Sequence, residues 1–294
     1  MTQNNMKLSI LAPAKVNLFL DVLSKREDGY HEICSVMQAV SLYDEIFLQI
    51  KKSDSFNIIL DGSNKQLRWD GSNLVYKACD LFVKEADLKG YTFEFYVQKN
   101  IPVCAGMAGG STDAAGALLL LNKAFNNLFS VEKLCEIGAK LGADVPFCIL
   151  GGTCLCRGVG EKIISLKSFS NQYMVCAIDD SSVSTPQAYS MLDEKFGTDC
   201  GPSADIDDFL ANIATSNAKN VCSALFNKFE NVIIPKNPRI QHIKDKMLEN
   251  NALGALMSGS GPSVFAIFAS EADQKSALFA LQKEEIQAFL CKSL

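Results

Sequence analysis

A globular chain of mixed strands and helices, filling one large domain or two ordinary ones, is what the sequence predicts, and three observations carry that expectation. The chain has 294 residues, enough to bury a substantial core. Hydrophobic residues make up 48% and charged residues 21%, the proportions of a globular protein rather than a disordered or fibrous one. Apolar patterns of strand and helix period alternate along the chain and restart near residue 165. No apolar run approaches the roughly 20 residues that a membrane span needs. The N-terminus, MTQNNMKLSILAPAK, has neither the basic start of a secretory signal nor the Arg/Ser bias of a transit peptide. A soluble, cytoplasmic protein is expected.

Residues 14–21, AKVNLFLD, alternate, with Val16, Leu18 and Leu20 on one face and Lys15, Asn17 and Asp21 on the other, a half-buried strand. EIFLQI and FNIIL read as further strands, broken by the turn-rich KKSDS. Residues 73–86 are helical, with Leu74, Val75, Ala78, Cys79, Leu81 and Phe82 inward and Asn73, Lys77, Asp80 and Lys84 outward. Strand YTFEFYVQK leads through a glycine-rich turn to an apolar helix from Ser111 to Phe125. A helix from Val131 to Leu141 is stopped by Gly142, and ADVPFCILGGTCLCRGVGEKI follows as a Pro-led turn and a strand pair around Gly151-Gly152. Beyond the restart come strand YMVCAID, the turn DDSSVSTP, a helical stretch, a Pro/Asn-rich piece, a helix at 239–249, a hairpin-like LMSGSGPSVFAIF and a last helix at 271–283. The restart divides the chain into domains 1–164 and 165–294.

A formal net charge of −5, with no basic stripe carrying interleaved aromatics, argues against nucleic acid as a partner. Eleven cysteines form no C-x-x-C pair, and the two histidines, His31 and His242, give no zinc-ligand spacing. Most cysteines sit in apolar runs such as PFCIL and YMVCAI, as small buried hydrophobes of a reducing compartment.

The chemistry concentrates in residues 101–123, IPVCAGMAGGSTDAAGALLLLNK. Glycines let a ligand approach the main chain closely. Ser111 and Thr112 stand where a helix begins, with its first N–H groups unpaired and the positive end of its dipole exposed. The combination makes an anion site, most simply for phosphate, held by the backbone N–H groups of Ala108, Gly109 and Gly110 and the hydroxyls of Ser111 and Thr112. A tight strand-to-helix connection capped by Ser/Thr has the same composition. The run is G-x-x-G-G with no lysine after it, which is neither the P-loop nor the dinucleotide signature.

Pro102 through Ala115, PVCAGMAGGSTDAA, resembles the glycine-rich ATP-binding motif of the GHMP kinases, the family of galactose, homoserine, mevalonate and phosphomevalonate kinases. APAKVNLFLDV, GYHEICSVMQAVSLYDEI, GADVPFCILGGTCLCRGVGE and LMSGSGPSVFAIF are similar, in order and spacing, to the branch of that family serving non-mevalonate isoprenoid synthesis. Cys104, Ala105 and Ala108 stand where the family commonly has glycine, and Met107 where leucine is usual, all small or isosteric replacements.

The resemblance implies an α+β fold, with an N-terminal ribosomal-S5-like domain, a C-terminal ferredoxin-like α/β domain and the active site in the cleft between them. It implies ATP and Mg2+ as cofactors, and as acceptor the 2-hydroxyl of a cytidine-diphosphate-linked polyol. On this basis Pro102, Val103, Cys104, Ala105, Gly106, Met107, Ala108, Gly109, Gly110, Ser111 and Thr112 bind ATP, while Asn73, Leu74 and Lys99 approach its adenine side. Asp144 takes the acceptor's proton, and Lys15, placed beside it, stabilises the acceptor oxygen. Tyr30 and His31 grip the cytosine ring by stacking and hydrogen bonds, Asn17 shares a strand face with Lys15, and Thr185 lies near the substrate. The sequence assigns no protein ligand to the magnesium.

Plainer readings stand beside these. Asp144 before Val-Pro suits a cap of the next turn, and a strand lysine such as Lys15 commonly faces water at a sheet edge. Cys104 becomes an oxidisable thiol if it is exposed at a helix N-terminus. The rivals in function are the same kinase fold with homoserine, mevalonate or a sugar as acceptor, and a nucleotide sensor that has lost catalysis.

Overall fold

The computed structural model describes residues 5–181 and 184–294. Ser182 and Val183 of the expected DDSSVSTP turn, and the first four residues of the N-terminus, lie outside the described residues. The chain divides into two compact units, one comprising the residues up to Ala14, Tyr43–Val103 and Ala108–Leu150, the other Lys15–Leu42, Cys104–Met107 and Gly151–Leu294. Strands β1 (Asn5–Lys25) and β2 (His31–Lys52) contribute residues to both. Among the described residues no helix is long and apolar enough to cross a membrane.

Both strands are longer than their sequence patterns suggest. Alternation marks β1 as half-buried, but Lys15, Asn17 and Asp21 are only 5%, 1% and 1% exposed. Polar residue types predict a wet face only when they lack partners inside, and these three have partners. His31 opens β2.

In the first unit β3 (Asn57–Gly62) runs parallel to β4 (Tyr91–Gln98), and β4 pairs antiparallel with the Glu45–Lys52 stretch of β2. Helix α1 (Leu74–Glu85) buries Val75, Ala78, Cys79, Phe82 and Val83. Helix α2 (Gly109–Ala124) is apolar on nearly every side and accordingly buried, from Thr112 through Leu118 without interruption. Gly116 permits its close approach to the sheet, since a Cβ there would lie 2.4 Å from Ile46 Cδ1. Helix α3 (Val131–Ala139) is followed by α4 (Val145–Leu150). The α4 segment, VPFCIL, corrects the sequence reading of PFCIL as strand. A short apolar run satisfies both periods, Pro146 is tolerated in a first helical turn, and Cys148 N–H closes that turn on the Asp144 carbonyl at 3.0 Å.

In the second unit β5 (Thr153–Gly158) pairs antiparallel with β2 over Ile33–Gln38 and with β6 (Lys162–Ser165). The chain continues through β7 (Tyr173–Ile178), α5 (Thr185–Phe196), α6 (Ile206–Thr215), α7 (Ala218–Ser223), β8 (Phe226–Asn227), α8 (Glu230–Ile233) and α9 (Pro238–Glu249). Strands β9 (Ala252–Met257) and β10 (Ser263–Phe268), helix α10 (Glu271–Lys283) and β11 (Gln287–Lys292) complete it. A second, antiparallel sheet has the order β11-β7-β10-β9, with β9 and β10 forming the expected hairpin. Val175, Ala177, Val264 and Ala266 of this sheet share one core with Ile240, Ile243 and Met247 of α9 and with Ala277 and Leu281 of α10. Each fully buried large aliphatic side chain there contributes about 1.5–3 kcal/mol. The Pro/Asn-rich piece holds three α-helices and a 3-10 turn, and β11 has no counterpart in the sequence reading, because its QAFLCK pattern is half exposed and weakly alternating. Helices with one mixed and one antiparallel sheet make the expected α+β class.

Candidate active site

The glycine-rich turn has a regular handedness. Cys104, Gly106 and Ala108 have φ of 57°, 70° and 58°, so every second residue is left-handed. Such alternation turns successive N–H groups toward one side and creates an anion-binding concavity. For Cys104 and Ala108, which carry a Cβ, this conformation costs about 1–2 kcal/mol each. Ala105 and Met107 are buried, and the Ser263 hydroxyl donates to the Ala105 carbonyl. The Met107 carbonyl accepts from Lys15 N–H at 3.2 Å. Gly106 is required twice over, by its φ and because a Cβ would lie 2.8 Å from the Ser258 carbonyl oxygen. Gly106→Ala is therefore expected to lower stability by about 2–3 kcal/mol, a drop of roughly 5–10 °C in Tm measurable by calorimetry. An unchanged Tm would show that the turn can move aside.

Helix α2 begins at Gly109, two residues earlier than the expected Ser111. Ala108, left-handed at the N-cap, offers it no side-chain hydrogen bond, so the first N–H groups of the helix depend on a ligand or solvent. Of the two hydroxyls expected to assist, that of Thr112 is buried and donates to the Pro13 carbonyl at 2.8 Å, leaving Ser111. Cys104 is exposed but stands five residues before the helix, so it lacks the N-terminal setting that would activate a thiol.

Asn73 caps α1, its Oδ1 accepting from Val75 N–H at 2.9 Å. Leu74 lies against the start of α2, with its Cδ1 3.6 Å from the position of a Cβ on Gly110. The Lys99 ammonium is buried and held by two carboxylates, Asp44 and Asp113, the latter at 2.6 Å. Burial, with Asp44 adding to it against the pull of Lys99, pushes the Asp113 carboxyl up to about 8. Sequence reasoning missed both aspartates. The available signal was an acid directly behind Ser-Thr in a helix too apolar to leave it exposed.

Asp144 stands at the head of α4, half-buried. A Cβ on Gly142, two residues before it, would lie 3.9 Å from Ser111 Oγ, so this turn runs alongside the start of α2. Among the described residues of this unit the Asp144 carboxylate takes no hydrogen bond, and α4 starts without using it as a side-chain cap.

In the second unit Lys15 is buried, not wet. Its Nζ donates to Asn17 Oδ1 at 2.8 Å, Asn17 Nδ2 donates to Ser35 Oγ at 2.9 Å, and Ser35 Oγ donates to the Phe19 carbonyl at 2.8 Å. Ser35 has one proton and gives it to Phe19, so it must accept from the amide, which turns the Asn17 oxygen to Lys15. The Asn17 N–H meets Ser258 Oγ at 3.3 Å. Tyr30 is 66% exposed, whereas His31 is buried and stacks on Tyr189 with ring centroids 4.4 Å apart. His31 Nε2 lies 2.8 Å from Asp193, which also accepts from Lys25 at 2.8 Å. Burial raises the Asp193 carboxyl, but the bonds from Lys25 and His31 outweigh it and hold it below its usual range. Thr185 opens α5, its hydroxyl 2.9 Å from that of Ser260. Ser35, Tyr189 and Asp193 were not legible as site residues, because each meets its partner through the fold.

A phosphate-type turn running into an uncapped helix, on an α+β frame, defines the class, and the family profiles agree. That for the GHMP kinases N terminal domain matches residues 73–152, and that for the GHMP kinases C terminal matches residues 208–287. A 4-diphosphocytidyl-2-C-methyl-D-erythritol kinase of Caldicellulosiruptor bescii is 42% identical over 97% of this chain and 99% of that protein. One of Clostridium perfringens is 43% identical over 89% of this chain and 88% of that protein. A crystal structure of 4-(cytidine 5'-diphospho)-2C-methyl-D-erythritol kinase superposes with a TM-score of 0.79 at 29% identity, covering 97% of this chain and 99% of that one. The chain belongs to the GHMP kinases and, within them, to the 4-diphosphocytidyl-2-C-methyl-D-erythritol kinase family.

Proposed function

We infer that this chain transfers the γ-phosphoryl group of ATP to the 2-hydroxyl of 4-diphosphocytidyl-2-C-methyl-D-erythritol, in the methylerythritol phosphate route to isoprenoid precursors. The observation that carries the donor half is the turn left-handed at Cys104, Gly106 and Ala108, which leads into the uncapped start of α2. The acceptor follows from the names of the relatives.

Phosphoryl transfer needs positioning, charge neutralisation and a destination for the acceptor proton. In this reading the N–H groups of Gly109, Gly110 and Ser111 and the helix dipole receive the phosphates, donors that need no reorganisation as charge develops. Residues 102–108 shape the turn, and Asn73 and Leu74 flank the nucleotide. Asp144 takes the hydroxyl proton, and Lys15, aimed by Asn17, supplies positive charge to the acceptor oxygen. Tyr30 gives the cytosine an aromatic face, His31 gives it a hydrogen-bonding edge, and Thr185 borders the acceptor. Residues 1–164 then carry the ATP site and most of the acceptor contacts, and residues 165–294 contribute Thr185 to the acceptor. Among the described residues no group of three or more His, Cys, Asp or Glu could hold a metal ion, and Asp44 and Asp113 both face Lys99. A magnesium ion brought in with ATP would neutralise charge on its phosphates. Eleven cysteines, most of them buried, suit a reducing cytoplasm.

The test is ADP release with magnesium-ATP and, in parallel, the cytidylated methylerythritol, the same polyol without its cytidine diphosphate, homoserine and mevalonate. Turnover is expected only with the first, and His31→Ala should raise its KM by at least about tenfold. Comparable turnover with homoserine or mevalonate would refute the acceptor assignment.

A further inference from the structure

Asp44, Lys99 and Asp113 form a buried cluster of charge in the first unit, with side chains 0%, 4% and 7% exposed. Two carboxylates meet one ammonium. Asp44 is fully engaged, because one oxygen accepts from the N–H groups of Asn100 at 2.6 Å and Ile101 at 2.9 Å while the other takes Lys99. Asp113 is not. Its Oδ2 takes Lys99 at 2.6 Å, but its Oδ1 is buried with no hydrogen-bond partner among the described residues. Lys99 also reaches the carbonyl of Gly109, the first residue of α2, at 3.4 Å, and Asp113 stands one helical turn behind that residue.

We propose that Lys99 and Asp113 are positioning residues for the phosphoryl donor, Lys99 pinning the first turn of α2 and Asp113 serving in its neutral, protonated form so that no net charge lies beneath the phosphate turn. The inference rests on the reading of Gly109–Ser111 as the phosphate site. Two ionised carboxylates on one ammonium would leave an uncompensated charge in a water-excluded site, which is strongly unfavourable. An ionised oxygen with no donor adds to that cost, and protonation removes the charge, leaving only a neutral buried group to desolvate. The upward displacement of the Asp113 carboxyl, caused chiefly by burial, agrees with this. The charged groups acting on it are Lys99, at the end of β4, and Asp44, on β2, and none from α1, α3 or α4 does so.

As pH rises through about 8, Asp113 gives up its proton and a negative charge appears one turn below the phosphates. ATP binding and that proton are therefore linked. The sign for stability follows. The native carboxyl is raised from an ordinary 3.8 to about 8, so its contribution is full below 3.8 and is lost as pH climbs to about 8. The Asp113→Asn variant carries a side chain that does not titrate and would not show that loss.

The experiment measures ATP affinity by equilibrium titration, and KM for ATP, KM for acceptor and kcat by steady-state assay, between pH 7 and 9.5. It uses the full-length wild type and the Asp113→Asn, Lys99→Met and Gly110→Asp variants. The wild type should lose about tenfold in ATP affinity across this range without a matching rise in acceptor KM. Asparagine, which keeps the shape and neutrality of the protonated acid, should abolish that loss, and its Tm advantage over wild type should grow up to about pH 8. Lys99→Met should weaken ATP binding at every pH. An Asp113→Asn variant that retains the pH dependence, binds ATP more than about fivefold more weakly at pH 7, or melts below wild type at pH 9 would overturn the proposal. Gly110→Asp separates the two layers, since unimpaired ATP binding there would refute the phosphate site itself, whereas lost binding there beside an unaltered pH dependence in Asp113→Asn would refute only the role of Asp113.

Discussion

Replacing Asp144 by asparagine is expected to lower kcat by about two to four orders of magnitude while leaving ATP affinity within about twofold. Asparagine keeps the size of the side chain and cannot take the acceptor proton. The helix behind it should survive, because Cys148 N–H bonds to the backbone carbonyl of residue 144 and the carboxylate is not used as a cap. Single-turnover phosphorylation of the cytidylated polyol, alongside ATP titration of the same variant, measures both halves. A kcat within fivefold of wild type would remove Asp144 from the role of base. Lost ATP binding would instead show that the change had disturbed the neighbouring turn at Ser111.

The largest expected loss of stability lies away from the proposed chemistry, at Lys228. This lysine is fully buried, and its ammonium donates to the carbonyls of Val22 at 2.5 Å and Gly201 at 3.3 Å and to Cys200 Sγ at 3.0 Å. Its counter-charge is Asp21, whose Oδ1 lies 3.3 Å away, close enough for an ion pair although that oxygen makes no hydrogen bond. The other oxygen accepts from Ser203 N–H at 2.6 Å. Lys228→Met fills the space but leaves a buried carboxylate without its cation, which costs about 3–5 kcal/mol and should lower Tm by roughly 10 °C. Asp21→Asn in the same chain should recover part of the loss, and that non-additivity is the signature of a direct pair. A Tm within 2 °C of wild type for Lys228→Met would show that the pair contributes nothing.

Much of the fold is legible along the chain. Helices at 238–249 and 271–283 fall within a residue of their periodic patterns, and the hairpin around Ser258–Pro262 follows from its glycines. The phosphate-type turn is legible too, because its small residues and the helix behind it act within a few positions of each other. VPFCIL defeats a reading by pattern because six apolar residues fit either period, and only packing selects helix. Strand β1 looks half-wet along AKVNLFLD because polar types suggest an exposed face, whereas Lys15, Asn17 and Asp21 are buried.

The sequence by itself determined the family and singled out the turn and helix proposed for the nucleotide, with Lys15 and Asp144 as candidates, since each belongs to a short contiguous motif. Only the tertiary structure decided what each charged or polar group meets. Asn17 finds Ser35 across 18 residues, Lys99 finds Asp44 across 55, and His31 finds Asp193 across 162. A turn or helix is selected by interactions spanning one or two turns of backbone, which local residue types specify directly. The partner of a buried charge depends on strand register and helix packing that the whole chain must form together, so it is settled only when desolvation forces each such group to find its complement.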